Sequence, residues 1–154
     1  MSKLIIDANL LLLYVIGFVN NGNYICKSDR LKKFKKADFD ILLEILKEFK
    51  EVYVTPYIAA EVSNLIDIKG KMGNEIYDKY QLLLSEILIQ TDVIIREDCK
   101  SNFFSRYGLT DSNLISLVNE FSILTDDNRM CSELYGVNPN NVLQFEVVKE
   151  LFKK

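Results

Sequence analysis

Short apolar runs alternate with stretches of helical periodicity along almost the whole chain, and no other feature constrains the fold as much. Lys3-Leu4-Ile5-Ile6-Asp7 reads as a short buried strand closed by an acid. A helix over 9–18 should follow, stopped at the turn-rich Asn20-Asn21-Gly22-Asn23. Asp38 reads as the N-cap of a helix from Phe39 to about Lys50, with apolar residues at 39, 42, 43, 46 and 49. Val52-Tyr53-Val54-Thr55 is a second strand. Pro56 then opens a helix to about Ile68, at a position where its missing N–H costs nothing. Gly70 and Gly73 precede a long helix over roughly 74–90, and Asp92-Val93-Ile94-Ile95 reads as a third strand. A loop with a short helix covers 96–109, and Thr110 caps a helix that continues to Asn119. Ser122-Ile123-Leu124-Thr125 is a fourth strand. A short helix over 127–135 ends at Gly136, and Asn141 to Phe145 form a weak fifth strand before a terminal helix. Strands alternating with helices imply βαβ units, right-handed crossovers and an α/β fold on a parallel sheet.

A chain of 154 residues favours one domain with one core, spanning 1–154. The formal net charge of −3 excludes a surface that is basic throughout, so a polyanion would need a local patch or a metal. Cys26, Cys99 and Cys131 are scattered and odd in number, which argues against a disulfide framework or zinc site and fits a reducing cytoplasmic setting. The apolar run Leu4–Val19 is interrupted by Asp7 and Asn9 and has no evident cleavage site, and its uninterrupted part, Leu10–Val19, is too short to span a bilayer. It reads as a buried strand and helix of a soluble protein.

Asp7, Glu61, Asp111 and Asp127 all fall where a strand ends or a helix begins. In a parallel sheet those junctions share one edge, so the carboxylates can meet at one crevice. Converging carboxylates repel unless something positive lies between them. With no histidine in the chain, the candidate is a hard cation, Mg²⁺ or Mn²⁺, held by oxygens. Asp7 serves equally as a site residue or as a helix cap, and Asn9 either positions a metal-bound water or satisfies the helix start. Glu61 sits about 40° beyond the apolar stripe of Ile58, Val62, Leu65 and Ile66, where a solvated surface role is the plainer alternative. Asp111 precedes Leu114, Ile115 and Val118 at same-face spacings and therefore projects from the core side of its helix. An unpaired carboxylate there is costly. Asp126 and Asp127 both follow the fourth strand and either can cap the next helix. Thr125 offers a hydroxyl to a ligand phosphate or water.

The segments Leu4-Ile5-Ile6-Asp7-Ala8-Asn9, Thr55-Pro56 through Ala60-Glu61-Val62, Gly108-Leu109-Thr110-Asp111 and Ile123-Leu124-Thr125-Asp126-Asp127 resemble, in order and spacing, the PIN-domain nucleases, which include the VapC-like toxins. The resemblance implies a three-layer α/β/α fold with a central, mostly parallel sheet of four to five strands. It also implies Mg²⁺- or Mn²⁺-dependent cleavage of RNA. The family's acidic positions fall on Asp7, Glu61, Asp111 and, through its Thr-x-Asp pattern, Asp127; Asp126 occupies the variable position and ranks second. RNA is the implied substrate. An antitoxin protein and a second copy of the chain are the partners that such a toxin would have.

One segment departs from that pattern. Residues 20–37 are inserted and carry Lys27, Arg30, Lys32, Lys33, Lys35 and Lys36, with Tyr24 and Phe34 among them. Such a patch can track a phosphate backbone, and its alternatives are a solvated loop and helix face or a docking surface for a protein. Two other enzyme classes fit less well. A haloacid-dehalogenase-type phosphatase wants an aspartate where Asn9 stands, and a receiver-like phosphoacceptor wants an acidic pair at Asp7 and a lysine after the last strand. A non-catalytic PIN-like module that binds RNA or protein is the remaining alternative.

Overall fold

A computed structural model describes residues 2–153. Among the described residues five strands form one sheet: β1 (Lys3–Ile6), β2 (Glu51–Val54), β3 (Ile89–Gln90), β4 (Ser122–Thr125) and β5 (Val142–Gln144), in the order β3-β2-β1-β4-β5. Every neighbouring pair is parallel, with Ile5 opposite Tyr53 on one side and Ile123 on the other. Helices flank the sheet: α1 (Ala8–Gly17), α2 (Lys36–Lys47), α3 (Pro56–Leu65), α4 (Gly70–Leu82), α5 (Ile95–Asp98), α6 (Phe104–Leu117), α7 (Asn128–Val137) and α8 (Phe145–Val148). The architecture is the expected three-layer α/β/α type. From β1 the chain winds outward to β2 and β3, then returns to place β4 on the other side of β1. The switch point of the sheet therefore lies between the ends of β1 and β4, where open α/β sheets bind their ligands.

The core explains why α1 shows no polar stripe. Leu10, Leu11, Leu12, Leu13, Val15 and Ile16 are all fully buried, because α1 is enclosed by the sheet, α2, α3 and α4. At about 1.5–3 kcal/mol per buried aliphatic side chain, this one helix supplies a large share of the hydrophobic stabilisation. Among the described residues no helix is long and apolar enough to cross a membrane.

Several boundaries differ from the sequence reading. The third strand is Ile89–Gln90, inside the span expected to be helical, and residues 92–95 are not a strand. The reason is the partner strand. The Thr91 N–H still bonds the Val54 carbonyl, but β2 then gives way to α3 at Pro56, and a chain continuing past Thr91 has nothing to pair with. Ile94 and Ile95 are consequently exposed. The long helix expected over 74–90 begins at Gly70 and closes in a π turn over Leu83–Ile87. Asp38 is not an N-cap. It stands three residues after Lys35, whose backbone N–H donates to Asp38 Oδ2 at 2.9 Å, so α2 starts at Lys36 and ends at Lys47. Gly136 lies within α7, which continues to Val137.

The inserted segment holds three short 3-10 turns, Asn20–Gly22, Ile25–Lys27 and Asp29–Leu31; Ile25 and Leu31 within them, and Phe34 beyond the last, are buried in the core. The Ser28 hydroxyl and the Arg30 backbone N–H both donate to Asp67, at 2.7 and 3.1 Å. Burial alone would raise the Asp67 carboxyl, but these donors outweigh it and hold the group below the usual carboxylate range. Phe34 packs edge-on against Phe145 with ring centroids 6.1 Å apart, and the Tyr24 hydroxyl bonds Glu75. The segment is thereby built into the fold as a strap.

Candidate functional site

One hydroxyl ties Asp7, the residue that follows β1, to Thr125, the last residue of β4. The Asp7 backbone N–H extends the ladder to the Leu124 carbonyl at 2.9 Å. Its carboxylate caps α1, with Oδ1 accepting from the Ala8 N–H at 2.7 Å. Asp7 Oδ2 accepts from the Thr125 hydroxyl at 2.6 Å, and that hydroxyl oxygen in turn accepts the Asp127 N–H at 3.0 Å. Thr125 is fully buried, so its hydroxyl is committed to these two partners and does not stand free for a ligand as its position suggested. Asp127 caps α7, with Oδ1 receiving the N–H groups of Arg129 and Met130. Both aspartates act as helix caps while belonging to the acidic group, so the two alternatives at these positions are not exclusive.

Asp111 reaches the same place from α6. That helix breaks at Gly108, whose φ of 81° and ψ of −173° suit a residue without a side chain, and its second part re-aims Asp111. Burial pushes the Asp111 carboxyl up to about 7, and the charges of Asp7, Asp127 and Glu61 push in the same direction. Asp7 is raised to about 6, chiefly by burial, against the Thr125 and Ala8 hydrogen bonds that favour its charge; Asp126 and Glu61 add to the rise. Burial also raises the Cys131 thiol to about 11, with help from Asp127, Asp7 and Asp126. Glu61 is exposed on α3, yet partial burial still raises its pKa, while the Thr110 hydroxyl opposes the shift. The fold therefore brings Asp7, Glu61, Asp111, Asp126 and Asp127 within mutual electrostatic reach. Among the described residues, no three of the His, Cys, Asp and Glu side chains are drawn close enough to hold an ion as they stand.

Asn9 is exposed in the first turn of α1, beside Asp7. Asp126 is buried and meets the Lys33 ammonium at 2.5 Å. Lys33 is thus drawn from the basic insertion into the acidic centre. Lys36 pairs with Asp40, while Lys27, Arg30, Lys32 and Lys35 are exposed. Phe34 is buried, which removes it as a face for stacking bases, and the hydroxyl of the half-buried Tyr24 is bonded to Glu75.

Two features escaped the sequence reading. Arg129, in the first turn of α7, lies over the Tyr107 ring at 4.9 Å and favours ionised Asp111. It is a cation two residues beyond an N-cap, where the helix dipole disfavours it. Asp98, buried on α5, accepts from the Tyr57 hydroxyl at 2.6 Å and from the Asn113 side-chain amide at 3.3 Å. Tyr57 precedes Glu61 by one helical turn, and Asn113 follows Asp111 by two residues. Asp98 therefore clamps together the two helices that carry those acids.

An apolar groove of about 370 Å³ lined by Tyr14, Phe18, Leu43, Leu46, Val52 and Leu88 lies at the far end of α1 from Asp7. Charge, rather than cavity volume, marks the acidic crevice.

The Thr125 link has a measurable consequence. Thr125→Val keeps the shape but leaves Asp7 Oδ2 without its donor and the Asp127 N–H without its acceptor. The expected loss is about 2–3 kcal/mol in urea unfolding, because both stranded groups are desolvated. Thr125→Ser, which restores the hydroxyl, should recover most of it.

No protein-family model matches the chain, and comparison with curated proteins finds no match.

Proposed function

We infer that the chain is a metal-dependent ribonuclease whose centre is formed by Asp7, Asp111 and Asp127, with Glu61 completing it from α3. The observation that carries this reading is the convergence of these acids at the β1/β4 switch point, where burial and the neighbouring negative charges push the Asp7 and Asp111 carboxyls up. Such a cluster is unfavourable when fully ionised and becomes favourable beside a cation. The donor set is all oxygen, which suits Mg²⁺ or Mn²⁺. The same residues carry the resemblance to PIN-domain nucleases, which supports RNA as substrate.

Asp7, Asp111, Asp127 and Glu61 would hold a divalent ion, which would supply positive charge to a scissile phosphate and acidify an attacking water. The protein's part is orientation. Thr125 and the Ala8 N–H fix both oxygens of Asp7, and the first turn of α7 fixes Asp127. Arg129, exposed and backed by Tyr107, stands where a phosphate approaching Asp111 would find a counter-charge. No imidazole base enters, in keeping with a chain that has no histidine.

Thermal melting with added Mn²⁺ separates this reading from a non-catalytic RNA- or protein-binding module. The enzyme should gain several degrees as Mn²⁺ saturates, by linkage, and an inert module should gain none. Single-stranded RNA incubated with protein and Mn²⁺ should be shortened, and EDTA should stop it. The toxin reading adds one requirement, a small upstream reading frame with a DNA-binding pattern in the gene neighbourhood.

A further inference from the structure

Asp7, Asp98 and Asp126 are all buried aspartates, and they are satisfied differently. Asp7 receives Thr125 and Ala8, and Asp98 receives Tyr57 and Asn113. Neither oxygen of Asp126 has a hydrogen bond, although its side chain is only 1% exposed. What answers its charge is the Lys33 ammonium at 2.5 Å, on a side chain that is itself 56% exposed. A purely structural buried carboxylate needs donors around it, because an ion pair alone rarely repays desolvation. Asp126 has only that ion pair at Oδ2, and its Oδ1 is left without a partner close to Asp7, whose ionisation the Asp126 charge opposes.

Lys33 reaches this point because the strap is pinned around it. Ser28 and Arg30 hold one end to Asp67, and Phe34 is wedged against Phe145 just beyond β5. Lys33 Nζ also lies 5.2 Å from the centre of the Phe34 ring. The ammonium is therefore delivered to the carboxyl edge of the sheet by buried anchors on both sides.

We propose that Lys33 is a resident cation of the acidic centre, standing beside Asp126 where a second divalent ion would otherwise bind, so that the site takes one ion. This rests on the nuclease reading. It assigns the insertion a role in the chemistry of the site, in place of a general patch for nucleic acid. An ammonium fixed in the strap supplies charge next to the crevice without needing a second metal, and it relieves the repulsion between Asp126 and Asp7.

Calorimetric titration of Mn²⁺ into the wild-type chain and into Lys33→Met tests it. The wild type should bind one ion per chain and Lys33→Met two. Lys33→Met/Asp126→Asn, which removes both charges, should return to one, as should Lys33→Arg. Where Lys33→Met folds only with Mn²⁺ present, the slope of melting temperature against log Mn²⁺ concentration counts the ions, and it should be twice the wild-type slope. Two ions in the wild type, or one in Lys33→Met, overturn the proposal and leave the nuclease reading standing. A Lys33→Met chain that stays unfolded in millimolar Mn²⁺ also overturns it, since no ion then replaces the ammonium. Absence of any binding to the wild type removes the nuclease reading itself, and the proposal with it.

Discussion

Asp111→Asn should leave the metal-free protein more stable at pH 8 while ending RNA cleavage. The Asp111 carboxyl is pushed up to about 7 by burial and by Asp7, Asp127 and Glu61, so the folded protein prefers it uncharged. Asparagine supplies a neutral group of nearly the same shape. The shift from 3.8 corresponds to roughly 4 kcal/mol at about 1.4 kcal/mol per unit, and screening at a half-buried site reduces the gain to about 2–3 kcal/mol. The same change removes a charge aimed at the proposed ion, and cleavage should fall about a thousandfold or more. Urea unfolding in EDTA reads the first effect, and product formation in Mn²⁺ the second. A variant that is less stable and still active would mean that Asp111 is a structural acid. The expected trade of stability against activity is what a functional site built from repelling charges should show.

The second large effect is on stability against pH. Asp7 and Asp111 have folded pKa values of about 6 and about 7, against 3.8 for the free side chain. A raised pKa means that the native state keeps a proton which the unfolded chain has released. The resulting stability is present below pH 4, is lost as pH rises through 6 and 7, and is gone by pH 8. Asp67 works the other way, because its lowered pKa contributes stability that is lost on acidification below about pH 4. The metal-free protein should therefore be most stable near pH 4–5 and weaker by about 3 kcal/mol at pH 8, the two raised acids sharing one mutual repulsion. Denaturant midpoints measured from pH 4 to 8 in EDTA check this. A stability that is flat or rising over that range would contradict the electrostatic picture of the crevice.

Most of the frame was legible because its signals are local. Leu4-Ile5-Ile6 followed by Asp7, Thr55 followed by Pro56, and Thr125 followed by Asp127 are strand ends that double as helix caps, and each stands where its residues indicate. The misplaced third strand shows the limit of such signals. Val93-Ile94-Ile95 has strand composition, but pairing depends on β2, which ends at Val54, and local composition carries no information about where a partner stops. The burial of the insertion has no sequence signal, because Ile25 and Leu31 sit in single 3-10 turns and Phe34 follows them in non-helical chain, too short a pattern to give a period. At the site, the inward face of Asp111 was readable from helical spacing. The Thr125 bridge, the Asp98 clamp and the Lys33–Asp126 pair join residues far apart in the chain, and only the folded chain displays them.

If these carboxylates form one metal-dependent centre for cutting RNA, cleavage must depend on both the ion and the acids. Single-turnover cleavage of an end-labelled RNA at pH 7.5, measured for the wild type with Mn²⁺ and with EDTA and for Asp7→Asn and Asp127→Asn with Mn²⁺, tests it most directly. The wild-type rate should saturate with Mn²⁺, vanish in EDTA and be lost in both variants while their folds persist. Cleavage that continues in EDTA, or at the wild-type rate in both variants, would contradict it.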